Sequence, residues 1–414
     1  MFCGSCMHDN TWARALQARE AEVSLIPTYT PIRVDEQNLS EHSVFLGGIN
    51  VYLEHRLRVW QTIPRVLTRW LDRPWVINLA TRIGVSNDAG QLGALTLAML
   101  SGEAGPQRRE VDELAQHLTQ GLKPDVICFS NILLVGAVRR LRERFAGPLY
   151  CVLQGDDVFL EDLSEPYQSQ ALAMIRERSA DFDGFIVHSV YYRDFMSTYL
   201  GLPIEKFHII PLGIDMSGHD GQPRSEANDD ITIGYFARIC EAKGLRQLFE
   251  AFKIVHRDIP TARLRVGGYL SKQDTPYYQG IARDARTLGD AFEYVGSPDT
   301  HAAKVNFLKS LDVLSVPTVY HEPKGLYVLE AWANGVPVVQ PRHGSFPEMI
   351  EATGGGLLVE ADSADELARG LKELITDGAQ RYQLAQNGHA GVRRHYDSIK
   401  MADATLDIFR SALG

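Results

Sequence analysis

Cysteine is scarce in this 414-residue chain and poorly placed for cross-linking: Cys3, Cys6, Cys128, Cys151 and Cys240 are an odd, scattered set. That excludes a disulfide framework and leaves reduced thiols. Cys3 and Cys6 with His8 lack the second ligand pair that a metal site or redox centre would need, so a tight glycine loop is the simpler reading. No uninterrupted run approaches the ~18–20 apolar residues of a membrane span, and the N-terminus lacks the charged and apolar sections of a signal peptide. A cytoplasmic location is therefore expected. Positive charge is also in deficit, the net charge being −10, which argues against a dedicated nucleic-acid binder. Low-complexity tracts and repeats of ~20–50 residues are missing, so solenoids and arrays are excluded. His188, His208, His321 and His343 sit at expected strand ends but without ligand spacing, so no metal site is expected.

What is there is an ordinary globular composition, 45% hydrophobic and 23% charged. The length exceeds the ~250–300 residues at which one core stops growing, so two domains are the expectation. Short apolar runs alternate with helical periodicity in both halves, the pattern of a parallel sheet covered by helices. Expected strands in the first half are Val23–Thr28, Val126–Phe129, Leu149–Leu153 and Gly184–His188, with Val44–Gly47 weaker. In the second half they are Ile231–Ala237, Arg263–Gly267, Phe292–Val295, Val313–Val316, Val336–Gln340 and Gly356–Val359. Leu245, Leu248, Phe249, Phe252 and Val255 lie on one face of a helix that follows the first of these. The polar, Gly-containing stretch 217–230 has no apolar period and reads as a linker. The fold class is α/β, two Rossmann-like doubly wound domains facing a cleft. Its expected parts are 1–216, the linker 217–230, 231–395 and a C-terminal helix within 396–414. Ligands of such sheets bind beyond the carboxyl ends of the strands.

The richest segment runs from His321 to Ala331. Pro323 and Gly325 allow a tight turn into a helix whose first amides, near Gly325, Leu326 and Tyr327, point outward and favour an anion such as a diphosphate. Glu322 precedes that helix and Glu330 lies nearly two turns inside it. Carboxylates accept hydrogen bonds from vicinal hydroxyls, so one could hold a hexose and the other a ribose, or both could simply be surface glutamates. Arg238 and Lys243 bracket the loop between a strand's end and its helix. There they would hold the charge of a departing diphosphate without a metal, or they would be solvated.

Taken together, Arg238-x4-Lys243-Gly244, Glu322-x7-Glu330, Gly335-Val336-Pro337-Val338, Gly344-x-x-Pro347-Glu348 and Gly355-Gly356-Leu357-Leu358-Val359 resemble family 4 of the retaining nucleotide-sugar glycosyltransferases, glycosyl transferases group 1, whose fold is GT-B. The resemblance covers nearly the whole second domain. Over the first it is looser, resting on Gly47-Gly48-Ile49-Asn50-Val51-Tyr52 and on strand positions. It implies metal-independent transfer of a hexose-type sugar from a nucleoside-diphosphate sugar, with retained anomeric configuration and no cofactor. It further implies that Arg238 and Lys243 bind the diphosphate, Glu322 the donor sugar and Glu330 the ribose hydroxyls. By the same resemblance the amides of Gly325 and Leu326 would approach the sugar and phosphate, with Tyr327, Gly47 and Gly48 among the expected substrate contacts. The last helix, about Tyr396–Leu413, would cross back to the first domain.

The chain departs from that family in three places. Where such enzymes often carry His after Leu149–Leu153, it has Gln154-Gly155-Asp156-Asp157. Gln154 can bond a sugar hydroxyl or satisfy loop backbone but cannot relay a proton, and Asp156 and Asp157 either orient the acceptor or form a turn. Lys324 stands where an aromatic is common, which points to an anionic acceptor, a tighter grip on the leaving group or a solvated lysine. Finally, the first strand of the N-terminal domain is missing. Met1 to Cys6 leads directly into a helix around Asn10–Arg19 capped by Asp9, Asn10 or Thr11, as if the start were assigned late, and Gly4 would belong to the loop facing donor or acceptor. The segment Arg56–Trp75, with five arginines and three tryptophans, would suit a peripheral contact with an anionic inner membrane face or a solvated face over buried tryptophans. Asp181-Phe182-Asp183 matches a D-x-D metal motif but reads as a helix-to-strand turn. The rival functions are an epimerase or phosphorylase of similar fold and a non-enzymatic nucleotide-binding or scaffold protein.

Overall fold

The computed structural model describes residues 4–41, 43–47, 89–224 and 231–414. The chain separates into two compact units, Phe2–Ile210 with Ala402–Gly414, and Pro211–Met401. Gly48 and the Arg56–Trp75 segment lie outside the described residues.

In the N-terminal unit, α1 (Gly4–Gln17), α2 (Ala89–Leu100) and α3 (Arg108–Gln116) precede a sheet of β1 (Ile127–Phe129), β2 (Leu149–Val152), β3 (Gly184–Val187) and β4 (Phe207–Ile209). Its order is β1-β2-β3-β4 with every pair parallel. The crossovers carry α4 (Val138–Arg142), α5 (Asp156–Glu161), α6 (Tyr167–Arg178) and α7 (Val190–Leu200). The central strands β2 and β3 are buried along their whole length, as unbroken apolar runs in a sheet covered on both faces must be. Val23–Thr28 and Val44–Gly47 pair only through isolated bridges, Leu25 to Ser40 and Thr28 to Phe45, so they form no regular strand. Only His208, expected at a strand end, marks β4 in the sequence, since the strand is three residues long and follows a short helical turn at Ile204–Lys206.

Two expectations for the start of the chain need correction. Gly4 is the first residue of α1, not part of a loop, and Asp9, Asn10 and Thr11 sit inside the helix, not at its cap. Their side chains serve other partners: the Asn10 amide donates to the Gln37 carbonyl at 3.0 Å and Thr11 donates to Glu36 at 3.2 Å. Trp12 donates to Thr405 at 2.9 Å, and Tyr150 packs on Phe409 at 5.3 Å, which ties residues 402–414 into this unit.

The C-terminal unit is a six-stranded sheet of order β10-β9-β8-β5-β6-β7, all parallel. In chain order it runs β5 (Thr232–Phe236), α8 (Leu245–Asp258), β6 (Arg263–Gly267), α9 (Thr275–Ala285), β7 (Phe292–Tyr294), α10 (His301–Lys309) and β8 (Val313–Leu314). It continues through α11 (Leu326–Ala333), β9 (Val338–Pro341), α12 (Phe346–Thr353), β10 (Gly356–Val359), α13 (Ala364–Thr376), α14 (Gly378–His395) and α15 (Ser398–Leu413). The five apolar residues of the α8 stripe are all fully buried, each contributing roughly 1.5–3 kcal/mol of transfer free energy. The strand order reverses between β5 and β8, so the loops after these two strands open onto one switch point.

Of the stretch read as a linker, the described residues 217–224 do not run free. Residues 217–224 belong to the C-terminal unit, whose boundary falls at Ile210 and Pro211. His219 is buried and contacts the Asn334 amide at 2.8 Å, while Arg393 donates to the His219 carbonyl at 3.2 Å. A composition rich in polar residues and glycine described these side chains correctly but could not show that their hydrogen bonds end on α10, on Asn334 just past α11 and on α14.

Candidate active site

The loops after β5 and β8 meet because Gly244 allows it. Its φ is +73°, and a Cβ there would fall 1.7 Å from the Pro317 carbonyl oxygen, so only glycine fits. The neighbouring Val319 amide donates to the Ala242 carbonyl at 3.0 Å. This approach sets Lys243 against the segment 320–322. Its ammonium is 2.6 Å from Glu322 Oε2, hydrogen-bonds Tyr320, and lies over the Tyr320 and Tyr327 rings at 4.9 and 5.4 Å.

Glu322 is buried at 3% exposure, which is costly for a charge unless donors surround it. They do. Tyr320 donates to Oε2 at 2.9 Å, Tyr327 donates to the same oxygen at 3.1 Å, and the Lys324 amide reaches Oε1 at 3.3 Å. Burial pushes the carboxyl upward, but the Lys243 charge and hydrogen bond, the Tyr320 hydroxyl and the Lys324 charge outweigh it and hold Glu322 at about 2. The glutamate is thus a carboxylate at neutral pH, with Oε2 saturated and Oε1 carrying one long contact. Its backbone is pinned as well: the Ser345 amide donates to the Glu322 carbonyl at 2.8 Å, and Ser345 Oγ to that of Pro323 at 2.9 Å. Gly344 permits this with φ +59°, because a Cβ there would lie 2.5 Å from the Glu322 oxygen.

Gly325, at φ +70°, ends this turn and starts α11, and no side chain caps the helix. The amides of its first turn are therefore presented beside Lys243 and Glu322, where an anion gains both from the N–H groups and from the partial positive charge of the helix end. Leu326 and Tyr327 belong to that first turn, as expected from sequence. Arg238 lies in the same loop and is exposed, with its carbonyl accepting from Tyr235 at 3.0 Å. At the ends of β8 and β9, Ser315 Oγ, Thr318 Oγ1 and Gln340 Nε2 are buried with no hydrogen-bond partner among the described residues.

Glu330 is in the second turn of α11 and is buried, but it is not a bare carboxylate: Oε1 is 2.7 Å from the ammonium of Lys304, which is equally buried. Sequence reasoning missed Lys304. The available signal was a lysine set directly beside Val305, Phe307 and Leu308, the buried apolar residues of α10. Tyr320 was missed too, although it precedes Glu322 by only two positions.

In the N-terminal unit, Gln154, Gly155, Asp156 and Asp157 follow β2. The Gln154 amide nitrogen donates to Asp9 Oδ1 at 3.1 Å and to the Ser130 carbonyl at 2.9 Å, so this side chain organises the loop. Asp156 accepts from the backbone amides of Gln154 and Ile132 at 3.0 and 3.1 Å. Asp157 accepts from Tyr192 Oη at 2.5 Å, and that hydroxyl also accepts from the Gly155 amide at 2.8 Å. His8 and His188, with rings 4.6 Å apart, complete a buried cluster beside Asp9. Gly47 is buried in the same unit, whereas Gly4 is exposed at the first position of α1. Asp183 hydrogen-bonds Arg142 and accepts from the Leu149 amide at 2.7 Å, which makes the D-x-D stretch a strand-entry turn. Among the described residues no group of three or more His, Cys, Asp or Glu side chains is arranged to hold a metal ion, and no helix is long and apolar enough to cross a membrane.

Residues 220–390 match the family model described as glycosyl transferases group 1. A D-inositol 3-phosphate glycosyltransferase of Segniliparus rotundus is 27% identical over 264 residues, 61% of this chain and 57% of that protein. An uncharacterised glycosyltransferase of Methanocaldococcus jannaschii is 30% identical over 193 residues, 45% of this chain and 46% of that one. The chain spans about half the length of the curated relatives it matches. Among solved structures, sucrose-phosphate synthase from Thermosynechococcus elongatus aligns with a TM-score of 0.66 at 19% identity, over 97% of this chain and 91% of that one. Anabaena HepE in complex with UDP-glucose aligns with a TM-score of 0.64 at 17% identity, over 94% of this chain and all of that one, 100%. At these identities the likeness establishes the fold, which is GT-B.

Proposed function

We propose that this protein transfers a hexose-type sugar from a nucleoside-diphosphate sugar to an acceptor hydroxyl, with retained anomeric configuration and without a metal ion. The observation that carries the reading is the Lys243–Glu322 ion pair, 2.6 Å long, beside the uncapped start of α11. The family matched by residues 220–390 and the UDP-glucose named for the HepE structure support the same donor class.

In this reading Lys243, Arg238 and the amides of Gly325, Leu326 and Tyr327 receive the diphosphate. Charge develops there as the bond between the anomeric carbon and the phosphate oxygen breaks, and groups placed in advance stabilise it most effectively. The acceptor oxygen attacks the anomeric carbon on the face the diphosphate leaves. The leaving group keeps the bonding electron pair, and the acceptor's proton passes to a departing phosphate oxygen. Glu322 Oε1 accepts from a sugar hydroxyl, and Glu330 accepts from the ribose hydroxyls. Gln154 organises its own loop through Asp9 and the Ser130 carbonyl and takes part in no proton transfer, since an amide has no titratable proton near neutral pH. Lys324 adds a cation beside the seat, suited to an anionic acceptor or to the leaving diphosphate.

The test is a panel of nucleoside-diphosphate sugars in thermal-shift titrations, followed by transfer assays with and without chelator. A true donor raises the melting temperature by mass action and turns over with chelator present. If no member of the panel stabilises the fold, the donor assignment fails; if turnover stops with chelator, the metal-free mechanism fails.

A further inference from the structure

The Lys304–Glu330 pair raises a question that the proposed reaction leaves open. Two charges at 5% and 9% side-chain exposure, 2.7 Å apart, are an expensive way to join α10 to α11. Desolvating such a pair costs about what its attraction returns, and an apolar pair of similar volume would hold the helices as well. The pair is built in further than a staple requires. The Asn334 amide donates to the Glu330 backbone carbonyl at 2.9 Å and contacts His219 Nδ1 at 2.8 Å, and the Gly221 amide approaches Asn334 Oδ1 at 3.4 Å. Thus Glu330 is fixed through its main chain by Asn334 and through one carboxylate oxygen by Lys304. His219 is kept neutral, at about 3, by burial and then by the charges of Lys304 and His301.

We infer that Lys304 is a positioning residue: by holding Glu330 Oε1 it aims the other carboxylate oxygen at the ribose hydroxyls of the nucleotide, and so sets the preference for ribo- over 2′-deoxyribonucleotides. The inference rests on the nucleotide-sugar reading above. A carboxylate that is clamped at one oxygen loses no rotational freedom on binding, so the hydroxyl contact is gained at little entropic cost. The clamp also neutralises Glu330, and a neutral pair does not repel a diphosphate bound at the start of the same helix as a lone carboxylate would. A buried acceptor built for a hydroxyl discriminates strongly against the analogue that lacks it, because the acceptor is then left unpaired.

The experiment measures dissociation constants by calorimetry for UDP, GDP and ADP and their 2′-deoxy forms, with the full chain, Lys304→Met and Lys304→Gln. For whichever nucleotide binds, the unaltered protein is expected to prefer the ribo form by about tenfold or more. In Lys304→Met that ratio should fall to within about twofold of unity, with the deoxy form also weakened because the lone Glu330 carboxylate repels the diphosphate. Lys304→Gln keeps the reach and a donor without the charge, so it serves if the Met variant does not fold, and its ratio should fall at least about threefold. An unchanged ratio in a folded Lys304 variant overturns the inference even if its melting temperature drops, because a staple alone would move stability and not discrimination. Absence of any ribo preference in the unaltered protein also overturns it. Failure of all three ribonucleotides to bind would overturn the nucleotide-sugar reading itself, a result distinct from either.

Discussion

The loops after β5 and β8 in the C-terminal unit and the loop after β2 in the N-terminal unit occupy equivalent places at the ends of parallel strands, yet they are built from different chemistry. The first joins opposite charges: Lys243 to Glu322 and, on α11, Lys304 to Glu330. The second is an amide, two aspartates and a tyrosine hydroxyl, with Gln154 spent on Asp9 and the Ser130 carbonyl. The contrast teaches where charge has to be handled. In the proposed reaction a departing diphosphate needs fixed cations in place beforehand, whereas the loop after β2 settles its two carboxylates on backbone amides and a tyrosine hydroxyl.

The sharpest way to break this comparison is to remove the charge. Lys243→Ala is expected to lower kcat/KM by about a thousandfold, while Gln154→Ala lowers it by no more than about tenfold; steady-state kinetics on the same acceptor check both. Equal losses would erase the distinction between the two loops. Next in size is Gly244→Ala, whose Cβ meets the Pro317 oxygen at 1.7 Å with φ at +73°. It should destabilise the C-terminal unit by about 2 kcal/mol or more in urea unfolding and pull Lys243 away from Glu322.

Acid should also act on the C-terminal unit. His219 is held at about 3 against an ordinary 6.5, so between those values the unfolded chain binds a proton that the folded chain refuses. Its contribution is intact above pH 6.5 and is lost as the pH falls toward 3. Glu322, at about 2 against 4.5, follows the same sign lower down: its contribution is present above 4.5 and lost toward 2. His219→Asn should therefore flatten the decline in melting temperature between pH 6.5 and 4. A curve parallel to that of the unaltered protein would show that His219 titrates freely. The smallest expected effect is Lys324→Ala, a rise in KM of a few-fold, about 3–5, for an anionic acceptor and little change for a neutral one.

Much of the C-terminal unit was legible in advance. Arg263–Gly267 and Gly356–Val359 match the strands to the residue, and α8 follows its apolar stripe. The reason is that fully buried parallel strands and amphipathic helices carry their periods in the sequence. The N-terminal unit was less legible because its short strand β4 and the bridges at Leu25 and Thr28 lack such periods. Glu322, Lys243 and the helix start at Gly325 were readable because close backbone approaches demand glycine, and the motif repeats that demand at Gly244 and Gly344.

By itself, then, the sequence determined the periods of strand and helix, the glycine turns and the residue types that a diphosphate seat requires, since each of these is a local property of the chain. Only the tertiary structure decided that Tyr320 and Tyr327 saturate one oxygen of Glu322, that Lys304 clamps Glu330, that Gln154 is bound to Asp9, and that residues 217–224 bond to α10, Asn334 and α14. Each of these pairings, apart from the Tyr–Glu322 contacts, joins residues many positions apart, and the partner of a buried charge or amide is chosen by packing, which no local pattern records.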